Sequence, residues 1–322
     1  MMAMINQSSE GVPLVHQQMF KVEMNEGPLS KLVVAILMSL LFICINCIMF
    51  HTLMSKPVFR ELPRYILFAH MLCNDSVQLM VSLLLYVLSM NVQLIPKALC
   101  ALIILVTVTT FRNAALNLAV MSLERYVAIC FPLRHSEMVT RKTTGVSIGL
   151  IWIFGSINLS IDILYALIMD PGSFKDSIFC TRERFILSPW QRDMFDGFNL
   201  FSFVTVTAIL IFTYINVMVA ARSASAEKES ARKAHKTILL HLVQLVLCVN
   251  TFIYGTIERA LAMTSSSRLF MDLRYLNFLF VLILPRCLSP LIYGLRDDAV
   301  RPLFLYYVRC GAQKVKPSVT AH

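Results

Sequence analysis

LVVAILMSLLFICINCIMFHTLM, residues 32–54, holds no Asp, Glu, Lys or Arg, and its reading decides the fold. About 20 apolar residues at 1.5 Å rise match a hydrocarbon core roughly 30 Å thick. This first stretch begins at Leu32, and six more of its kind begin near Tyr65, Leu99, Thr144, Phe195, His235 and Tyr275, each followed by a short polar segment. No soluble domain of this size needs seven such segments. The expected fold is therefore an all-α membrane protein. It comprises an outer tail (1–31), a seven-transmembrane helix bundle (32–296), and a short amphipathic eighth helix with a cytoplasmic tail (297–322).

Composition agrees. The chain is 57% apolar and 15% charged, against roughly 25% charged for soluble globular proteins. Its net charge of +10 is unevenly placed. With the amino terminus outside, seventeen of the 29 Lys and Arg fall on the inner side, ten on the outer side and two within spans. Acids number seven inside and ten outside, so the whole excess lies on the inner face. This is the positive-inside asymmetry of membrane proteins and excludes a nucleic-acid patch. The first thirty residues lack a basic start followed by an apolar core, so the first span is expected to direct insertion itself. An odd number of spans then places the carboxyl terminus in the cytoplasm.

Asn6-Gln7-Ser8 is a glycosylation sequon in the outer tail, whereas Asn158-Leu159-Ser160 falls inside the fourth span. Six of the nine cysteines lie within or at the inner ends of spans, where disulfides are disfavoured. Only Cys100, at the outer start of the third span, and Cys180, in the long outer loop, share an oxidising side, and they are expected to pair. Cys310 follows an amphipathic stretch from Asp298 to Arg309 with Leu303, Phe304 and Tyr307 as its apolar part, a place suited to palmitoylation.

Charges inside spans each cost about 2.5 to 3.5 kcal/mol at mid-membrane on insertion scales, so they should face the bundle and find partners. Asp75 and Arg286 lie midway along the second and seventh spans, with Pro285 and Pro290 flanking the arginine, and an ion pair would satisfy both. Arg112 and Asp162 could form a similar pair between the third and fourth spans, one turn further out. An arginine at that depth could equally meet an anionic or strongly polar ligand.

The third span ends in Ser122-Leu123-Glu124-Arg125-Tyr126-Val127-Ala128-Ile129-Cys130, followed by Pro132-Leu133-Arg134-His135. This run resembles the D/E-R-Y signature of rhodopsin-like G-protein-coupled receptors, and in its longer form R-Y-V-A-I-C-x-P-L that of odorant receptors. Pro63-Arg64-Tyr65 leading to Asn74-Asp75, Lys233-Ala234-His235-Lys236-Thr237 through His241-Leu242, and Ser289-Pro290-Leu291-Ile292-Tyr293-Gly294-Leu295-Arg296-Asp297 are similar to odorant-receptor runs of the second, sixth and seventh spans. Asn46 and Trp152 fall where receptor helices one and four carry theirs. The resemblance spans roughly residues 32 to 310. Departures include Ser289 in place of Asn, Cys248-Val249-Asn250-Thr251 where other receptors have C-W-x-P, and one cysteine in the outer loop where many odorant receptors have three. Arg286 puts a cation where related receptors can hold sodium, so no sodium, metal or other cofactor is expected. This pattern suggests a fish-type odorant receptor.

Glu124 beside Arg125 has its own physical logic, because the carboxylate holds the guanidinium until another partner competes for it. Counting helical turns from Arg125 places Thr107, Val108 and Phe111 toward a central cavity, with Arg112 nearby. Phe198, Ser202, Phe252, Ile253 and Leu279 are added from the fifth, sixth and seventh spans. Helix packing is the alternative reading for each. Thr107 stands where amine receptors carry Asp, which argues against a cationic amine. No span holds a mid-membrane Lys, which excludes a retinal Schiff base.

The resemblance implies a non-enzymatic receptor that binds a small odorant between its outer helix halves. It further implies a heterotrimeric G protein of the olfactory stimulatory class, which raises cyclic AMP. Glu124, Arg125, Tyr126, Tyr214, Lys236 and Tyr293 would form the coupling and switch region. Anionic lipid is a second expected partner of the basic inner loops, and association into homo- or hetero-oligomers is left open. The expected location is the plasma membrane, in olfactory cilia for an odorant receptor. A peptide or lipid receptor of the same fold is the main rival. A transporter or channel is a more distant one, since no repeat relates the two halves. The spans hold no H-E-x-x-H, and His241 stands alone, which argues against an intramembrane enzyme.

Overall fold

In a computed structural model, the described residues are 27–90, 93–224, 272–273, 275–286, 288, 297 and 299–309. Five helices among them are long and apolar enough to cross a bilayer. They are α1 (Gly27–Met54), α3 (Pro63–Met90), α4 (Lys97–Cys130), α6 (Arg141–Met169) and α7 (Pro189–Ala224). Short helices α2 (Pro57–Glu61) and α5 (His135–Met138) occupy the turns after α1 and α4, and α8 (Arg301–Val308) follows the last span. The expected sixth span lies outside the described residues. A shorter apolar helix, Tyr275–Arg286, represents the seventh and contains a π-helical turn, Phe278–Ile283, just before Pro285.

The helices run past their apolar stretches because local chemistry, not hydropathy, sets their ends. α6 begins in a reciprocal cap, with Thr140 Oγ1 accepting from Thr143 N at 3.2 Å and Thr143 Oγ1 accepting from Thr140 N at 2.9 Å. α7 starts six residues before Phe195, where Gln191 Oε1 accepts from the N–H groups of Leu187 (2.7 Å) and Ser188 (3.0 Å).

Side-chain placement fits a lipid solvent. Leu37, Leu102, Ile153, Ile168, Leu200 and Val219 face outward, whereas Asn46, Asp75, Asn113, Asn117, Asn158 and Asp162 are buried. Polar groups seek one another because hydrocarbon offers them no partner. His70 illustrates this: Trp152 Nε1 donates to His70 Nε2 at 2.9 Å, and His70 Nδ1 lies 3.1 Å from Asn117 Oδ1. Asn117 Nδ2 donates in turn to Leu67 O at 3.1 Å. Satisfying both ring nitrogens requires the neutral Nδ1–H tautomer, and the network joins α3, α4 and α6.

At the inner end, Val300, Leu303 and Phe304 join a core with Met49, Leu53, Phe59 and Leu72. The eighth helix therefore packs on α1 and α3 with the residues expected to form its apolar part. Tyr307 adds an edge-on contact with His51 at 4.8 Å between ring centroids.

At the outer end, β1 (Leu94–Pro96) pairs antiparallel with β2 (Ser177–Phe179), setting Ile95 opposite Ile178. The Cys100–Cys180 disulfide fastens the same loop to the start of α4. Buried Lys97 completes the attachment, its Nζ donating to Ser173 Oγ at 2.7 Å and lying 5.1 Å from the Phe174 ring centre.

Candidate functional site: an outer polar cluster and an inner latch

The outer cluster is built where α4, α6 and α7 meet the fastened loop. Arg112, on α4, is only 5% exposed. Its Nη2 donates to Asn199 Oδ1 on α7 at 2.9 Å and reaches Asn158 Oδ1 on α6 at 3.5 Å. Phe195 and Phe198, one turn apart on α7, present their rings 4.9 and 4.8 Å from the guanidinium carbon. Aromatic faces and amide oxygens are what a desolvated guanidinium attracts. Phe154 closes the wall against Phe198 at 4.6 Å.

Of the two readings the sequence left open for Arg112, the structure does not take the pair with Asp162. Its Oδ2 lies 3.4 Å from Arg182 Nη2 and its Oδ1 accepts from Gln191 Nε2 at 3.0 Å. The reason is the loop: Arg182 follows Cys180 by two residues, so the disulfide carries it over the outer end of α6. A fully buried carboxylate takes the partners nearest in depth. Spacing within spans could not reveal a partner supplied by a loop.

The other expected pocket residues fall into separate neighbourhoods. Thr107 returns its hydroxyl to Ile103 O at 2.7 Å, and Val108 packs with Ile104, Leu159 and Phe185. Phe111 and Leu279 pack with Leu79, Phe278 and Ile283. Ser202 is buried and donates to Phe198 O at 2.7 Å. Phe252 and Ile253 lie outside the described residues. Among the nine, Phe198 meets both Arg112 and Ser202, and Phe111 and Leu279 share one cluster.

Asp75 and Arg286 are both buried, and their charges interact. The guanidinium lies 5.4 Å from the centre of the Phe111 ring. Asn74, beside Asp75, donates through Nδ2 to Thr110 O at 2.8 Å.

Near the carboxyl-terminal end of α4, Glu124 is buried and Arg125 half-buried, with Arg125 Nε 3.7 Å from Glu124 Oε2. His135, at the start of α5, places Nε2 3.2 Å from Glu124 Oε1. The Tyr126 ring meets Phe131 and Phe212 edge-on at 5.7 and 5.3 Å, tying the latch to α7. Tyr214 is half-buried on α7. Lys236, Tyr293, Asn6 and Cys310 lie outside the described residues.

Sequence reasoning missed Asn199, Phe195, Arg182, His135 and His70 as site or framework residues. Two carried a usable signal: His135 closes the Pro132-Leu133-Arg134-His135 run, and Arg182 sits beside the bridged cysteine.

Comparison with known proteins fits this arrangement. A family model described as "7 transmembrane receptor (rhodopsin family)" matches residues 45–293, a range that includes the expected sixth and seventh spans. The chain is 35% identical over 308 residues to odorant receptor 131-2 of Danio rerio, covering 90% of this chain and 91% of that one. Olfactory receptor 2M5 of Homo sapiens is 27% identical over 208 residues, covering 62% of this chain and 64% of that one. Olfactory receptor 4B13 of Mus musculus is 26% identical over 192 residues, covering 57% and 59%. With its helical spans, its outer disulfide and its Glu-Arg-Tyr latch, the chain belongs to the odorant receptors of the rhodopsin family of seven-transmembrane receptors, and is a multi-pass, non-enzymatic membrane receptor.

Proposed function

We propose that this receptor binds a small organic odorant between the outer halves of its helices and activates a heterotrimeric G protein of the stimulatory class, raising cyclic AMP. The observation that carries this reading is the latch: a buried Glu124 holds Arg125 at the cytoplasmic end of the same helix that bears the outer cluster. Similarity over 90% of the chain to a protein named as an odorant receptor supports the ligand class.

A ligand shifts the bundle only as far as it contacts one arrangement better than the other. In the active arrangement Arg125 leaves Glu124, the inner ends of the third, fifth and sixth spans separate, and the G protein's carboxyl-terminal helix enters between them. Tyr126, Tyr214 and Tyr293 line that cleft, and Lys236 and its basic neighbours face acidic partner surface or anionic lipid. Asp75 and Arg286 act as a buried pair that responds to the same movement. The amino terminus is outside and glycosylated at Asn6, and Cys310 carries an acyl chain that adds to the hold of the eighth helix on the inner leaflet.

The test is a cyclic-AMP screen of water-soluble odorants on cells expressing the full chain. Arg125→Ala is expected to abolish the response while leaving surface expression in place. Unchanged signalling in that variant would overturn the latch, and a response confined to peptides or lipids would overturn the odorant assignment.

A further inference from the structure

Among the described residues no carboxylate hydrogen-bonds to Arg112, whose bonds go to Asn199 and Asn158. The two other charges that act on it are those of Arg182 and Asp162, and Asp162 is already engaged by Arg182 and Gln191. The buried Arg112 and the half-buried Arg182 thus both lie beside Asp162, whose two oxygens are taken by Arg182 and Gln191. Arg112 Nη1 is buried without a hydrogen-bond partner, and so is Nδ2 of Asn158, the residue that Arg112 Nη2 touches. Both are donors. An unmatched cation and an unmatched amide donor on adjacent side chains present what a carboxylate accepts from, and leaving them unmet costs more than any ordinary hydrogen bond returns.

We propose that the ligand of this receptor is a small organic carboxylate, held by Arg112 Nη1 and Asn158 Nδ2, with its apolar part against Phe154, Phe195 and Phe198. The inference rests on the reading that ligand enters between the outer helix halves. It selects against zwitterions as well as neutral odorants. An α-ammonium beside the carboxylate would meet Arg112 and Arg182, while Asp162 is engaged on both oxygens. Neutral esters and alcohols of the same shape can fill the aromatic wall but leave the guanidinium unneutralised.

The experiment uses full-length receptor in lipid nanodiscs, with the thermal unfolding midpoint as readout. The probes are butanoate to decanoate and phenylacetate, each beside its methyl ester, and hexanoate beside 2-aminohexanoate. At least one carboxylate is expected to raise the midpoint where its ester and the amino acid do not. R112Q is expected to weaken that binding about 10- to 100-fold, the loss of one charged hydrogen-bonding partner. N158D places a carboxylate against Arg112 from within the protein. It is expected to fold at least as well as wild type and to lose the response, so it decides the matter if R112Q fails to fold. Equal shifts by acid and ester, no shift by any carboxylate, or a response retained in N158D would overturn the proposal. Cyclic-AMP measurements separate the two readings. Acids that shift the midpoint without raising cyclic AMP keep the site and sink the signalling assignment. Neutral odorants that signal equally through wild type and R112Q do the reverse.

Discussion

Glu124 lies nearer to His135 than to its own neighbour Arg125, with Oε1 3.2 Å from the imidazole Nε2 and Oε2 3.7 Å from the guanidinium Nε. One carboxylate is therefore shared between the helix that carries the latch and the loop that follows it. Each oxygen of Glu124 thus has its own cationic or polar neighbour, Oε1 the imidazole and Oε2 the guanidinium.

His135→Ala should return the whole carboxylate to Arg125 and deepen the resting state. At about 0.5 to 1 kcal/mol for a half-exposed contact, basal cyclic AMP should fall roughly 2- to 5-fold at matched surface expression. His135→Arg supplies a permanent competitor and should raise it. Movement of both variants in the same direction would remove His135 from the latch.

At Gly155, α6 lies close against α4. A methyl group there would run into the Asn113 side chain and lie 3.4 Å from Thr109 O, whereas Gly149 on the same helix has nothing within 4 Å. Asn113 is fully buried, and with its amide turned over its nitrogen donates to Ile151 O (3.0 Å) and Thr109 O (3.1 Å), which leaves it little room to give way. Gly155→Ala should cost about 1 to 3 kcal/mol through overpacking and lower the unfolding midpoint, and Gly149→Ala should leave it unchanged. Equal midpoints for the two variants would show that the helices can part without cost.

Tyr65 and Asp297 join the second span to the turn before α8. The Tyr65 hydroxyl donates to Asp297 at 3.0 Å to Oδ2, and Asp297 Oδ1 accepts from the N–H groups of Ala299 (3.0 Å) and Val300 (3.2 Å). Asp297→Ala should cost about 1 to 2 kcal/mol as a lost cap, and Tyr65→Phe about 1 kcal/mol. The double variant should be no worse than Asp297→Ala alone, because the two share one bond. Strict additivity in urea or thermal unfolding would separate them.

The Cys100–Cys180 bridge closes a sequence separation of 80 residues. On the loop-entropy account such a link is worth about 4 to 5 kcal/mol. Cys100→Ser, Cys180→Ser and the double variant should reduce surface expression alike. They should also weaken the response to ligand in whatever protein reaches the surface, since Arg182 would no longer be held over Asp162. A single variant with normal expression and normal response would count against both statements.

The spans, the bridged cysteines and the Glu-Arg-Tyr motif were legible because each rests on local or compositional physics. Hydrocarbon demands long apolar helices, the inner leaflet collects Lys and Arg, and an oxidising side permits only Cys100 and Cys180 to meet. The pocket was less legible. Counting turns from Arg125 gives a side chain's bearing on its own helix, but Thr107, Val108 and Phe111 turned out to satisfy or bury themselves in three different neighbourhoods.

By itself, then, the sequence determined that this protein crosses a membrane many times, because insertion reads each segment's own hydropathy. Only the tertiary structure decided who partners whom among the buried charges. Asp162 went to Arg182 of the outer loop and Arg112 to two asparagines and two phenyl rings, because a buried ion pairs with what the folded chain brings within about 3.5 Å, and that distance is not written in any one span.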